Sequence, residues 1–354
     1  MIANLHTAVG SLSKHSRVGA HIESASRYVL ARFLATWVFA SAAALTAFAL
    51  AAPAAAPSNR VDLFPRLQAG QVVSYAITYH TDKKTKTRSS VVIAQAPSDF
   101  AYDVRGILRL EILGVAAQGS RAVIHARSFY TSLDAHLWVA RSGQPSAQQQ
   151  GDTIPASPAI GFSIFPDGRI DQITGLDALP PDQQEAWHQW ASRFAAAAGF
   201  PQRGIKPSQK WKSEEQEKSP VPIAGLTWLR ESTYVRNEPC RPLRVNNKGE
   251  FVESDQAPDT CAVILTTAAL KQKSSAKDAT PEDFRVRQLR TSGAAQGNNK
   301  TILYISLKTG LVVRSSDEAN QSMNVTIAKT DNSNQVHYEV AAKSLAELFL
   351  ISMD

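Results

Sequence analysis

Residues 299–342 read NKTILYISLKTGLVVRSSDEANQSMNVTIAKTDNSNQVHYEVAA, and their alternation decides the fold class. The apolar and β-branched runs NKTILYISL, LVVRSSDE, MNVTIAKT and QVHYEVAA are broken by KTG and DNSN. Thr309-Gly310 and Asp331-Asn332 suit turns, because glycine accepts left-handed backbone and Asp and Asn side chains bond nearby amides. A period of two punctuated in this way predicts antiparallel hairpins.

Working outward, the same signal recurs. In QVVSYAITYH (Gln71–His80), Val73, Tyr75, Ile77 and Tyr79 share one face. The basic run DKKTKTR (Asp82–Arg88) is expected as a loop, with SSVVIAQA as the partner strand. GILRLEILGV (Gly106–Val115) and RAVIHARSFYT (Arg121–Thr131) form a second pair across AAQGS. LTWLRESTYVR (Leu226–Arg236) and CAVILTTAALKQ (Cys261–Gln272) add two strands, and SLAELFLISMD ends the chain as a strand or a brief helix. Ser142–Ala159, rich in Gln, Ser, Pro and Gly, reads as a long exposed loop. The charged Lys206–Pro220 reads as the boundary between two halves.

One helix interrupts the strands. In PPDQQEAWHQWASRFAAAAGFP, Asp182 and Glu185 make a capping box, and Trp187, Trp190, Phe194, Ala197 and Ala198 recur at helical spacing. Gly199 and Pro201 stop it, so a helix is expected over about residues 182–198. The approach, FSIFPDGRIDQITGLDAL (162–179), carries three aspartates. Pro166, Asp167 and Gly168 fit a hairpin turn, with Asp171 on the return strand and Asp177 leading to the helix. A calcium loop fails on spacing, because Arg169 stands where an oxygen ligand is needed; a catalytic acid here stays open.

The expected fold is therefore mostly β (α+β): curved antiparallel sheet meanders packed against one main amphipathic helix. Residues 1–56 form a signal peptide or membrane anchor with spacer, 57–205 an N-terminal half ending in the helix, and 206–354 a C-terminal half with a disulfide loop.

Export rests on FLATWVFASAAALTAFALAA (Phe33–Ala52), uncharged and preceded by Arg27 and Arg32. Basic flank, apolar core and small residues describe a secretory signal, with Ala49 and Ala51 fitting cleavage after Ala51. The core is also long enough to remain as a single-pass anchor. Either way the bulk of the chain lies outside the cytoplasm, periplasmic or secreted, and touches the membrane only through this segment if it is not cleaved. The two cysteines, Cys240 and Cys261, both fall in the exported part and are expected as a disulfide. Histidine is absent around them, which argues against a metal centre.

The formal net charge is +7, of which Lys14, Arg17, Arg27 and Arg32 against Glu23 give +3 in the leader and leave +4 for the rest. What is left is too dilute for a nucleic-acid face. His80, His125, His136, His188 and His337 form no metal-ligand spacing, and no nucleophile elbow, P-loop or dinucleotide glycine pattern occurs. Ser274-Ser-Ala-Lys277 matches S-x-x-K but sits in a polar connector without the accompanying motifs. A pair of glycosidase carboxylates is defined by distance in space, so sequence leaves it open. No catalytic residue, cofactor or metal is assigned.

FSIFPDGRIDQITGLDAL, FPQRGIKPSQKW and TILYISLKTGLVVRSSDEANQSMNVTI together resemble uncharacterised secreted and lipoprotein-type bacterial domains. The last hairpin is also similar to the meander of periplasmic lipoprotein-carrier and lipid-binding folds. That resemblance implies a curved sheet around a helix with an apolar concavity, and no active site. The function expected is an exported, non-enzymatic envelope protein that binds a lipid, another apolar ligand or a protein partner in the concave sheet. Tyr75, Tyr79, Trp187, Trp190 and Phe194 are the candidate lining. A structural or interaction module without a small ligand, and a hydrolase of envelope polymers, are the alternatives.

Overall fold

The computed structural model describes residues 60–89, 99–118, 121–140, 147–149, 153–154, 158–166, 170–179, 200–201, 204–217, 221–247, 250–331 and 334–354. The leader, the helix expected over 182–198 with Trp187, Trp190 and Phe194, and the turn residues Asp167 and Gly168 lie outside them.

Long alternating runs become long strands. β1 (Val72–Ser89), β2 (Asp99–Gln118) and β3 (Arg121–Ala140) form a meander, followed by the short β4 (Ala147–Gln149), β5 (Thr153–Ile154), β6 (Ile160–Ile164) and β7 (Ile170–Thr174). A 3-10 turn, Leu176–Ala178, comes next. The second run comprises β8 (Lys210–Gln216), β9 (Leu226–Cys240), β10 (Leu243–Val245), β11 (Phe251–Glu253) and β12 (Asp259–Gln272). The short helix α1 (Glu282–Val286) leads into β13 (Leu289–Ser306), β14 (Val312–Lys329) and β15 (Gln335–Met353). Apart from the small β10–β11 ribbon, these strands join one antiparallel sheet ordered β7-β6-β3-β2-β1-β15-β14-β13-β12-β9-β8, with β4 and β5 hydrogen-bonded to β3.

This order corrects the expected fold. Among the described residues there is no main amphipathic helix; α1 spans five residues and buries Phe284 alone. The last strand lies between β1 and β14, paired from Val73↔Met353 to Ser89↔Val336 on one side and from Arg314↔Phe349 to Ala328↔Gln335 on the other. The described residues are nearly all β, one large sheet rather than meanders laid on a helix. The basic run DKKTKTR is not a loop but the second half of β1, and the C-terminal run is strand. Parts of Ser142–Ala159 pair with β3, and Lys206–Pro220 contains the edge strand β8, whose exposure alternates residue by residue.

The sheet curls so that one face encloses two apolar cores. The first unites Tyr75 and Ile77 of β1, Leu108 of β2, Ile164 of β6, Tyr234 of β9, Ile264 of β12, Leu303 of β13 and Leu348 of β15. Residues near both edges, Ile170 of β7 and Trp211 of β8, pack on this same cluster, so the sheet bends back toward itself. The segment before β1 closes this end: Leu63 and Leu67 enter the core, and Val61 exchanges backbone hydrogen bonds with Ile205. The second core joins Leu226, Trp228, Leu270, Met323, Val325, Tyr338 and Val340, covered by Val221, Ile223, Ala279 and Phe284 from the connections. Cys240 and Cys261 form a disulfide between the paired β9 and β12, with Cα atoms 5.8 Å apart.

Candidate functional site on the inward face

Register places the inward side chains in rows running across the sheet. The lowest apolar row runs Tyr234, Ile264, Leu303, Ser315, Leu348, Ile77 and Gly106. The next row up holds Trp211, Ser232, Thr266, Thr301, Asp317, Ala346, Tyr79 and Val104. Above it stand Ser213, Arg230, Ala268, Asn299, Ala319, Ser344, Thr81 and Tyr102. The fourth row is Glu215, Trp228, Leu270, Gly297, Gln321, Ala342 and Lys83. The inward face thus has apolar ends and a waist of polar and small residues.

Polar groups in the waist hold one another. Asp317 accepts from Asn299 Nδ2 at 2.9 Å and from Thr301 Oγ1 at 2.7 Å. Ser232 and Thr266 share a buried hydrogen bond of 2.8 Å. Arg230 pairs with Glu215 at 3.0 Å. Charge-assisted bonds such as these fix the side chains and leave their carboxylates engaged.

Where the waist meets the second core, a cavity of about 30 Å³ opens on the inward face. Its walls include Val221, Leu226, Leu270, Met323, Val340 and Ala342, and two charged residues, Lys83 and Glu217, complete it. Glu217 accepts the indole N–H of Trp228 at 2.8 Å. Lys83 is only 5% exposed although it belongs to the basic run of β1. Its position follows from period two: Val73, Tyr75, Ile77, Tyr79, Thr81 and Lys83 all take the inward side, while His80, Asp82 and Lys84 face out. Burial disfavours the ammonium and pulls the Lys83 pKa down to about 8.

Of the residues singled out as ligand lining, Tyr75 is fully buried in the first core and its phenol pKa is raised by burial. Tyr79 is half-buried and meets Tyr102 edge-on at 6.5 Å. Neither lines the cavity beside Lys83. Lys83, Glu217 and Met323 were missed. Lys83 is found by counting the alternation of QVVSYAITYH onward through the lysines.

The histidines among the described residues are dispersed. His80 lies 2.6 Å from Asp103, with Asp82 next to it, and these carboxylates raise its pKa. His125 contacts Ser163, His136 contacts Asp134, and His337 contacts Thr326. Among the described residues no cluster of three His, Cys, Asp or Glu side chains is arranged for a metal ion. Ser274 of the S-x-x-K match donates its hydroxyl to the Ala224 carbonyl at 2.6 Å, a connector contact rather than a nucleophile next to its lysine.

The outward face at mid-height is charged. One row across it reads Lys212, Glu231, Thr267, Lys300, Glu318, Leu345, His80 and Asp103. A transmembrane barrel carries an apolar band at that level.

No known protein family matches the chain, and no curated protein does. Among solved structures it is similar to Pseudomonas aeruginosa OccK7 (OpdD), with 6% identity, 80% of this chain and 100% of that one covered, and a TM-score of 0.21. Pseudomonas aeruginosa OccK5 (OpdH) follows at 10% identity, covering 79% and 98%, with a TM-score of 0.20. The CymD monoaromatic hydrocarbon channel gives 5% identity over 80% and 89%, with a TM-score of 0.13. Scores of this size fall well short of a shared fold, so the site rests on this chain's own geometry.

Proposed function

We propose that the protein is an exported, non-enzymatic envelope protein that binds an apolar or amphiphilic ligand on the inward face of its curled sheet. The observation that carries this reading is the cavity between waist and second core, apolar on most sides and bordered by a buried lysine. Concave, mostly apolar sites with few polar groups are the usual form of small-molecule sites. The leader over Phe33–Ala52 and the Cys240–Cys261 disulfide support an extracytoplasmic location. With about 30 Å³, room for roughly two waters, the cavity takes one end of a ligand, and the remainder lies along the waist.

Native mass spectrometry and solvent extraction of the protein purified from the envelope are expected to recover a co-purifying amphiphile. Ligand-free protein that also gives no saturable binding of 1-octanol would overturn the reading.

A further inference from the structure

This inference rests on the reading above and deepens it. We propose that the ligand end entering the cavity is uncharged, so that the site takes a neutral alkyl alcohol rather than a fatty acid or an alkylamine. Among the described residues that line the cavity, Glu217 brings a carboxylate and Lys83 an ammonium, so the charges of its walls oppose each other. Both are already engaged by the protein. Glu217 accepts the Trp228 indole N–H at 2.8 Å, and Lys83 has a partner of its own within the chain.

A charged ligand end therefore finds no counter-ion waiting for it. An ion moved from water to a place among Val221, Leu226, Met323 and Val340 loses its hydration, and only a close opposite charge makes up that loss. Recruiting Lys83 or Glu217 for the purpose would take that residue from its present partner and leave another buried group unsatisfied. A hydroxyl asks for much less, one or two ordinary hydrogen bonds. Gln321 offers both kinds. It lines the cavity from the inward face of β14, in the same row as Ala342 and Lys83, and a carboxamide donates through its NH₂ and accepts through its oxygen. Size points the same way. About 30 Å³, near the room of two waters, holds a terminal hydroxyl with its carbon but not a bulkier neutral head such as a sugar ring.

The test is calorimetric titration of the full-length chain at pH 7 with 1-octanol, octanoate and octylamine, the last a cation at this pH. It is repeated with Lys83→Met and with Glu217→Gln, whose amide keeps an acceptor for the Trp228 indole. The parent is expected to bind 1-octanol at least about tenfold tighter than either ion. Lys83→Met should shift the preference toward octylamine and Glu217→Gln toward octanoate, each by about tenfold relative to 1-octanol. Parental affinity for octanoate or octylamine that equals or exceeds that for 1-octanol overturns the neutral-ligand assignment but leaves the apolar-ligand reading standing. A folded variant that keeps the parental ratios overturns it too, because the apolar walls alone would then set the ranking. Failure of all three compounds to bind removes both ideas together. Circular dichroism verifies that the variants are folded, and if they are not, the parent's ranking decides alone.

Discussion

Lys83 is the residue whose energetics differ most from what its neighbours in DKKTKTR suggest. Its pKa of about 8 lies below the ordinary 10.5 because burial disfavours the charged form. Below pH 8 both the folded and unfolded chains hold the proton, and the folded state bears the full cost of the buried charge. Between about 8 and 10.5 the folded chain loses its proton first, so the unfolded chain binds more protons and stability rises with pH. Above that window the cost is gone. Lys83→Met is therefore expected to exceed the parent in stability at pH 7 by up to about 3 kcal/mol, with the gap narrowing by pH 10. Urea unfolding at the two pH values checks it; a gap that is constant or widens with pH contradicts the burial assignment. Gly310 makes a different demand. Its φ is +70°, and a Cβ there would lie 2.2 Å from the Phe64 carbonyl oxygen. Gly310→Ala should cost about 2–4 kcal/mol, seen as a lowered melting temperature. Gly114, with ordinary φ and nothing within 4 Å of a Cβ, is the control and should tolerate alanine without loss. The Thr309-Gly310 turn is legible in sequence. The approach of Phe64 is not, because it comes from the segment before β1, far away along the chain.

At the level of elements, strands with apolar alternation declare themselves and strands with polar alternation do not. QVVSYAITYH reads as strand because its inward residues are Val, Tyr and Ile; the continuation DKKTKTR hides the same period behind lysines on both faces and threonines on the inward one. Pairing with β15 along its whole length, and with β2 as far as Lys84, decides its conformation, an override of local preference common in sheets. KWKSEEQ is hidden for a related reason. As edge strand β8 it alternates exposed and half-buried residues while carrying Lys210, Lys212 and Glu214 outward, the kind of charge that protects an open edge from further pairing. The cysteine pair was legible because two lone thiols with no histidine around them have few uses other than each other. Their bond ties the end of β9 to the start of β12 across a separation of 21 residues. Replacing both with alanine is expected to cost about 3 kcal/mol on the chain-entropy model. Denaturation of the parent with and without reductant should reproduce the same shift; no change in midpoint would mean the β10–β11 excursion is ordered without the staple.

For the molecule as a whole, the decisive feature is the seam between its first and last long strands, which no local pattern reveals. Alternation tells which face a residue takes but not which distant strand lies next to it. β15 separates β1 from β14 and contributes Tyr338, Val340, Ala346, Leu348 and Leu350 to the buried face, serving the first core at one end and the second at the other. Removing it would unpair both neighbours and strip apolar burial worth about 1.5–3 kcal/mol for each large side chain. The sum rivals the 5–15 kcal/mol that typically separates folded from unfolded domains. A chain ending at Asn334 is therefore expected to lose its cooperative thermal transition altogether and to aggregate through the exposed edges of β1 and β14. Circular dichroism melts and analytical ultracentrifugation read both effects. If residues 60–179 instead kept a transition at the parental temperature, the first meander would be stable by itself. The β1–β15 seam would then be a junction between two independent folding units, and the inward face, cavity included, would be free to open along it.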